Sequence, residues 1–230
     1  MTDSLCLCGR GVTTATKAPQ TEPDQNGVPE VVITRLPQYV RILNSLLESG
    51  VEVVSSQQLG EQLKVTPAQI RKDLSYLGRF GKQGRGYSVK YLAAELKQIL
   101  GLDQKWNVCL VGVGRLGRAI LSYPGFAPEG FEIVAALDSD PSVVENVIGG
   151  LKVRPLDDLD EVVEQLGVNI GIIAVPGAVA QAVMDRLVKC GIKAILNYAP
   201  VYPQVPPDVK VRNVDPVLSL QSMTYYLTGP

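Results

Sequence analysis

The residues of this chain best placed for chemistry are glycines. Gly112, Gly114 and Gly117 form G-x-G-x-x-G, with Val113, Arg115 and Leu116 between them, after the apolar "NVCLV" and before "RAIL". In such a run one glycine permits a tight turn, the second lets backbone approach a pyrophosphate, and the third lets helix and strand pack closely. The helix that follows turns its N-terminal N–H groups toward the phosphates. A second apolar stretch, "FEIVAALD", ends at Asp138, 21 residues beyond Gly117. A carboxylate there accepts hydrogen bonds from ribose hydroxyls and repels a 2′-phosphate, which indicates NAD(H) rather than NADP(H). The plainer role for Asp138 is to cap a turn at a strand end. Val175 and Pro176 of "AVPG", and Asn197, Tyr198 and Pro200 of "LNYAP", fall at the C-terminal ends of further predicted strands. That edge of an open α/β sheet lines the ligand crevice.

Hydride transfer needs a group that gives or takes a proton, most often histidine. The chain has no histidine. Tyr123 and Tyr198 lie near the predicted crevice and could serve, but only a short tail follows the nucleotide-binding core, with no separate substrate domain. Two readings stand: an NAD-dependent oxidoreductase with an accessory domain, or a protein that reads the cofactor without turning it over. No catalytic residue is assigned. Cys6 and Cys8 lack a further Cys or His to complete a metal site, so no metal is expected. Cys109 and Cys190 lie in apolar contexts and read as small buried residues.

The elements that must position these residues fall into two blocks. Residues 107–111, 132–137, 170–175, 193–198 and 209–213 read as strands, and 115–122, 157–166 and 178–190 as helices. Such alternation implies a parallel sheet wrapped by helices. The final "DPVLSLQSMTYYL" is an apolar helical segment with no sheet element left to pack on. Upstream, a helix is predicted from Leu36, with Pro37 in its first turn and Gly50 at its end. Ser55 with Gln58, then Thr66 with Gln69, make two capping boxes for short helices separated by Lys64 and Val65. Two capped helices that close together make a helix-turn-helix, here at about 39–78. "RFGKQGRGYSVKY" reads as a β-hairpin wing and "YLAAELKQILG" as a further helix.

Charge singles out the same block. Residues 31–90 carry nine Lys or Arg against four Asp or Glu, whereas residues 91–230 carry eleven against fifteen. A basic block in an acidic chain suggests a local binder of polyanions. On the second helix Gln69, Arg71, Lys72 and Ser75 have the types that meet bases and phosphates, and Lys82 and Arg85 occupy the wing. No apolar run approaches the ~20 residues that span a bilayer, and no secretion signal is visible, so a reducing cytoplasm is the expected compartment.

In order and spacing, "VSSQQLGEQLKVTPAQIRKDLSYLGRFGKQGRGY", "WNVCLVGVGRLGRAI", "ALDSDP", "GIKAILNYAP" and "VRNVDP" resemble the Rex family of bacterial redox-sensing repressors, over about 31–227. The resemblance implies a homodimer on palindromic double-stranded operator DNA, released by NADH, with NAD⁺ competing without releasing it effectively. Residues 1–30, polar and without periodicity, read as a disordered arm; the rest is expected to be of α/β class, with a winged helix at 31–101, a Rossmann-like parallel sheet at 102–214 and, as the resemblance implies, a domain-swapped helix at 215–230. The resemblance also implies an interdomain contact between Arg41 and Asp215, with Tyr123 taking over that aspartate in the NADH state. Two positions depart from the family's habit. Pro216 replaces an aromatic residue often found after the aspartate, and Gln83 replaces a basic residue often found in the wing.

Overall fold

The structure, a computed structural model, describes residues 27–82 and 84–228, without the side chain of Lys82. Most of the predicted arm, the Cys6/Cys8 pair and Gln83 lie outside the described residues. The chain divides into two compact units, Met1–Gly101 and Leu102–Pro230.

The first unit starts with α1 (Glu30–Glu48), six residues earlier than expected, and Pro37 lies inside it rather than in its first turn. The β-branched run "VVIT" hides that start, but Val32, Leu36, Tyr39, Val40 and Leu43 line one buried face at helical spacing. That burial offsets the backbone bond that Pro37 cannot donate. A short strand, β1 (Val53–Val54), leads into α2 (Ser56–Leu63), whose N-cap Ser55 forms the expected reciprocal capping box with Gln58. Lys64 in the left-handed region (φ 55°) turns the chain toward α3 (Pro67–Ser75). Gly60 makes this turn tight, because a Cβ there would stand 2.5 Å from the Val65 carbonyl oxygen. At Thr66 only half of the second capping box forms. The hydroxyl accepts from Gln69 N (3.2 Å), but the Gln69 side chain goes elsewhere.

The wing is the antiparallel pair β2 (Gly81–Lys82) and β3 (Gly86–Ser88), with β1 added on the other edge of β3. A last helix, α4 (Val89–Ile99), buries Val89, Leu92, Ala93 and Leu96.

The second unit holds a seven-stranded sheet. β4 (Trp106–Val111) runs into α5 (Arg115–Leu121), and β5 (Phe131–Asp138) follows. Next come β6 (Val147–Ile148) and β7 (Leu151–Pro155), which the sequence reading missed. The chain continues through α6 (Leu159–Gln165), β8 (Ile170–Ile173), α7 (Gly177–Lys189), β9 (Ala194–Asn197), β10 (Lys210–Asn213) and α8 (Pro216–Thr228). Strand order is β10-β9-β8-β4-β5-β7-β6, all parallel except the β6–β7 hairpin. The predicted strands at 170–175, 193–198 and 209–213 are each one or two residues too long.

β4 is buried on both faces. Cys109 and Val111 join α6 and α7 in one cluster, while Val108 and Leu110 meet Ile120 of α5 in another. Cys190, expected to be buried, is partly exposed and its thiol donates to Asp160 Oδ1 (3.0 Å). No residue of α8 is buried; Leu220 is 62% exposed and Leu227 84%.

Candidate nucleic-acid interface and dinucleotide site

Strand order reverses between β4 and β8, and the loops leaving these two strands face each other there. Gly112 adopts φ 96°, and a Cβ on it would stand 2.5 Å from the Ala174 oxygen. A Cβ on Gly117 would collide with the Gly112 carbonyl oxygen. Both glycines are therefore required by the protein's own backbone. Gly114 differs: its φ is an ordinary −69°, and a Cβ there would meet nothing within 4 Å. It opens α5, where no side chain caps the first N–H groups. The space over Gly114 and those uncapped N–H groups fit a pyrophosphate.

Asp138 ends β5 and ties the turn down. Its Oδ2 accepts from Val113 N (2.6 Å) and its Oδ1 from Asp140 N (2.9 Å). The turn-capping role is therefore real, yet a carboxylate has about four lone-pair sites, so acceptor capacity for ribose hydroxyls is left. Val113 contributes through position only, since its side chain is buried against Ala136 and Val153. Arg115 and Leu116 are exposed on the first turn of α5.

Val175 is half-buried and Pro176 exposed at the N-cap of α7. Asn197 is fully buried. Its amide donates to Ala199 O (2.9 Å) and Asn213 Oδ1 (2.9 Å), and its carbonyl accepts from Ala199 N (3.0 Å). It builds the loop that carries half-buried Tyr198 and exposed Pro200.

In the first unit, Ser56 of α2, Arg71 and Ser75 of α3, Arg79, Phe80 and Tyr87 of the wing border a groove of about 690 Å³. None of the residues lining this groove is acidic. Arg71 Nη1 donates to Ser56 Oγ (3.1 Å), and Ser75 Oγ donates to the Lys72 oxygen (2.7 Å). Lys72 is exposed outside the groove lining, and Arg85 borders an adjoining hollow with Arg79 and Ser88. Gln69 does not line the groove and is half-buried. Its Nε2 donates to Asp73 Oδ1 (2.6 Å).

Two residues of this region escaped the sequence reading. Arg79 lies at the foot of the wing, where the cation before "FGKQGRG" could have marked it. Asp73 is wholly buried on α3. It receives Arg35 Nε and Nη2 (both 2.8 Å), the Tyr39 hydroxyl (2.9 Å) and Gln69. Burial, then the bond to Asp73, pushes the Tyr39 phenol far above its ordinary pKa. The only signal for Asp73 was an acid on the apolar side of a basic helix.

The three residues expected to form a switch have these surroundings. Arg41 is exposed on α1 beside a hollow that includes Gln62 and Lys64. Tyr123 is 60% exposed, edge-on to Phe126 with ring centroids 5.2 Å apart. Asp215 Oδ1 accepts from the backbone of Val217 (2.9 Å) and Leu218 (3.4 Å), so it caps α8 at Pro216.

Among the described residues, no group of three or more His, Cys, Asp or Glu could hold a metal ion, and no helix is long and apolar enough to cross a membrane.

Comparison with known proteins bears on both sites. Residues 27–75 match the family model described as "Putative DNA-binding protein N-terminus", and residues 103–201 that described as "CoA binding domain". The chain is 55% identical to the redox-sensing transcriptional repressor Rex of Chloroflexus aggregans, over 86% of this chain and 94% of that one. It is 53% identical to Rex of Roseiflexus sp. (86% and 90%) and 44% to Rex of Streptomyces coelicolor (87% and 78%). The structure resembles that of RSP in complex with β-NAD⁺ and operator DNA, at TM-score 0.83 and 40% identity, covering 87% of this chain and 92% of that one. RSP in complex with β-NADH gives TM-score 0.78 at 38% identity, covering 87% and 94%. These relatives are named as repressors and not as enzymes, which sets aside the oxidoreductase reading. A winged helix joined to a Rossmann-like sheet, at this level of identity over most of the chain, settles kinship: the chain belongs to the Rex family of redox-sensing transcriptional repressors.

Proposed function

We propose that this protein represses transcription by holding palindromic operator DNA as a homodimer, and that NADH releases it where NAD⁺ does not. The observation that carries the nucleotide half is Gly114, a glycine demanded neither by its conformation nor by its neighbours. Its space suits a pyrophosphate, flanked by Arg115, with the adenosine ribose at Asp138 and the far end of the cofactor toward Val175, Pro176 and the Tyr198–Pro200 loop. Val113 and Asn197 shape this site without touching the cofactor through their side chains. The bound nicotinamide supplies the redox state that is sensed; the chain's own residues bind and orient it.

On the DNA side, α3 enters the major groove. Arg71 and Ser75 face the groove floor, Lys72 meets phosphate, and Lys82 and Arg85 of the wing reach the backbone. The exposed apolar α8 supports a helix exchanged with the partner subunit, since so much apolar surface on one short helix wants a cover. The switch is an exchange at Asp215, held by Arg41 in the DNA-bound form and by Tyr123 in the NADH form. The half-exposed Asp215 carboxylate and the exposed Tyr123 ring suit that role. Recognition helices must lie about 34–36 Å apart to read successive turns, so closure of the dimer breaks the fit. Operator binding places the protein's work in the cytoplasm.

Selection of bound duplexes from a randomised pool tests this reading, with sedimentation of the complex to count chains. Two chains on an inverted repeat, and weaker operator binding with release at lower NADH in Arg41→Ala, are expected. One chain per duplex, or an Arg41→Ala protein released as readily as wild type, would contradict it.

A further inference from the structure

Asp73 has four donors around it, and one of them is Gln69 at the third position of the recognition helix. A carboxylate cannot donate, so the Gln69 atom 2.6 Å from Asp73 Oδ1 must be the amide nitrogen. The amide oxygen then faces the other way. The carboxylate itself cannot rotate, because Arg35 grips both of its oxygens (2.8 Å each) and Tyr39 donates to Oδ2 (2.9 Å). The orientation of a half-buried amide near the N-terminus of α3 is thereby set from α1.

We infer that Asp73 is a positioning residue for sequence specificity: it orients Gln69 to read adenine and to reject guanine. This rests on the DNA-binding reading above. One Gln69 N–H is held by Asp73, which leaves its second N–H and its carbonyl oxygen. That donor and acceptor match adenine N7 and the adenine N6 amine. Against guanine the fixed amide oxygen would oppose O6, another acceptor. A free glutamine could swing its amino group round to donate both N–H groups to N7 and O6, and this one, with one N–H held by Asp73, cannot.

The test uses the full chain and a duplex selected from a randomised pool, read by anisotropy at fixed salt. One position in each half-site is expected to favour adenine over guanine roughly tenfold. Gln69→Ala should flatten that position alone, and Asp73→Asn should bring the ratio toward one while other positions keep theirs. Tyr39→Phe, which leaves the Arg35–Asp73–Gln69 chain intact, should keep the preference. Replacing the selected adenine by purine without the 6-amino group should weaken wild-type binding roughly tenfold. This last arm tests the adenine contact itself; where Asp73→Asn does not melt cooperatively, Arg35→Lys, which loosens the two-point grip on the carboxylate, should lower the preference in its place. A full preference in Gln69→Ala, an undiminished one in folded Asp73→Asn, or no loss with the amine-free base would overturn the inference. A pool that yields no enriched duplex would instead overturn the DNA-binding reading itself.

Discussion

The nucleotide turn and the recognition helix are organised by opposite means. At 112–117 the backbone forms the site: two glycines admit close approach of carbonyls, a third leaves open space, and Asp138 bonds to main-chain N–H groups. At 67–75 the side chains form it, with one buried carboxylate gathering an arginine, a tyrosine and a glutamine from two helices. A backbone site tolerates no added atom. A side-chain site tolerates no lost charge. The first can be copied as a short motif, whereas the second depends on residues 38 positions apart.

The largest effect is expected at the side-chain site. Asp73→Ala leaves Arg35, with only 20% of its side chain exposed, facing a vacated partner. Breaking a buried pair in this way costs about 3–5 kcal/mol, so denaturant melts should show the first unit largely lost. A loss under 1 kcal/mol would mean that the network does not anchor α3.

Both units should lose stability at alkaline pH, the first through the Tyr39 phenol and the second, from a lower pH, through the Cys109 thiol. Burial pushes the Cys109 thiol from 9.0 up to about 12, so the fold holds it protonated. Its contribution is complete below pH 9 and is lost as pH rises toward 12, by up to ~4 kcal/mol. Cys109→Ala should shrink that loss in pH-dependent melts of the second unit, leaving the smaller share of Cys190, whose thiol burial and Asp160 push up to about 11; an unchanged slope would assign the loss to another group.

Within the glycine turn the contrast sharpens further. Gly117→Ala should cost about 3 kcal/mol, because its Cβ meets a backbone carbonyl that cannot step aside. Gly114→Ala should stay within about 0.5 kcal/mol of wild type yet lose NADH affinity measured by fluorescence titration. If Gly114→Ala bound NADH normally, the open space would not be the pyrophosphate's. The smallest effect belongs to the exposed cation. Lys72→Ala should lower the slope of log affinity against log salt by about 0.9, uniformly across DNA sequences. An unaltered slope would remove Lys72 from the interface.

The same contrast explains what could be read from the chain beforehand. The glycine spacing, the apolar runs of β4 and β5 and the capping residues Ser55 and Thr66 are local signals, and the elements they predict are present. β6 was missed because it has two residues and β7 because "LKVRP" is half polar and ends in proline, although Gly149-Gly150, both at positive φ, is a two-residue hairpin turn between them. The start of α1 was missed because β-branched residues masked helical spacing. Gln69 was read as a free base reader because its partner Asp73 is committed by Arg35, a tertiary contact that no periodicity encodes.

The most direct test of the account is anisotropy of the selected operator duplex at fixed salt, titrated with NADH and separately with NAD⁺. The account predicts release by NADH at concentrations where NAD⁺ leaves the complex intact. Equal response to both nucleotides, or tight binding indifferent to either, would contradict it.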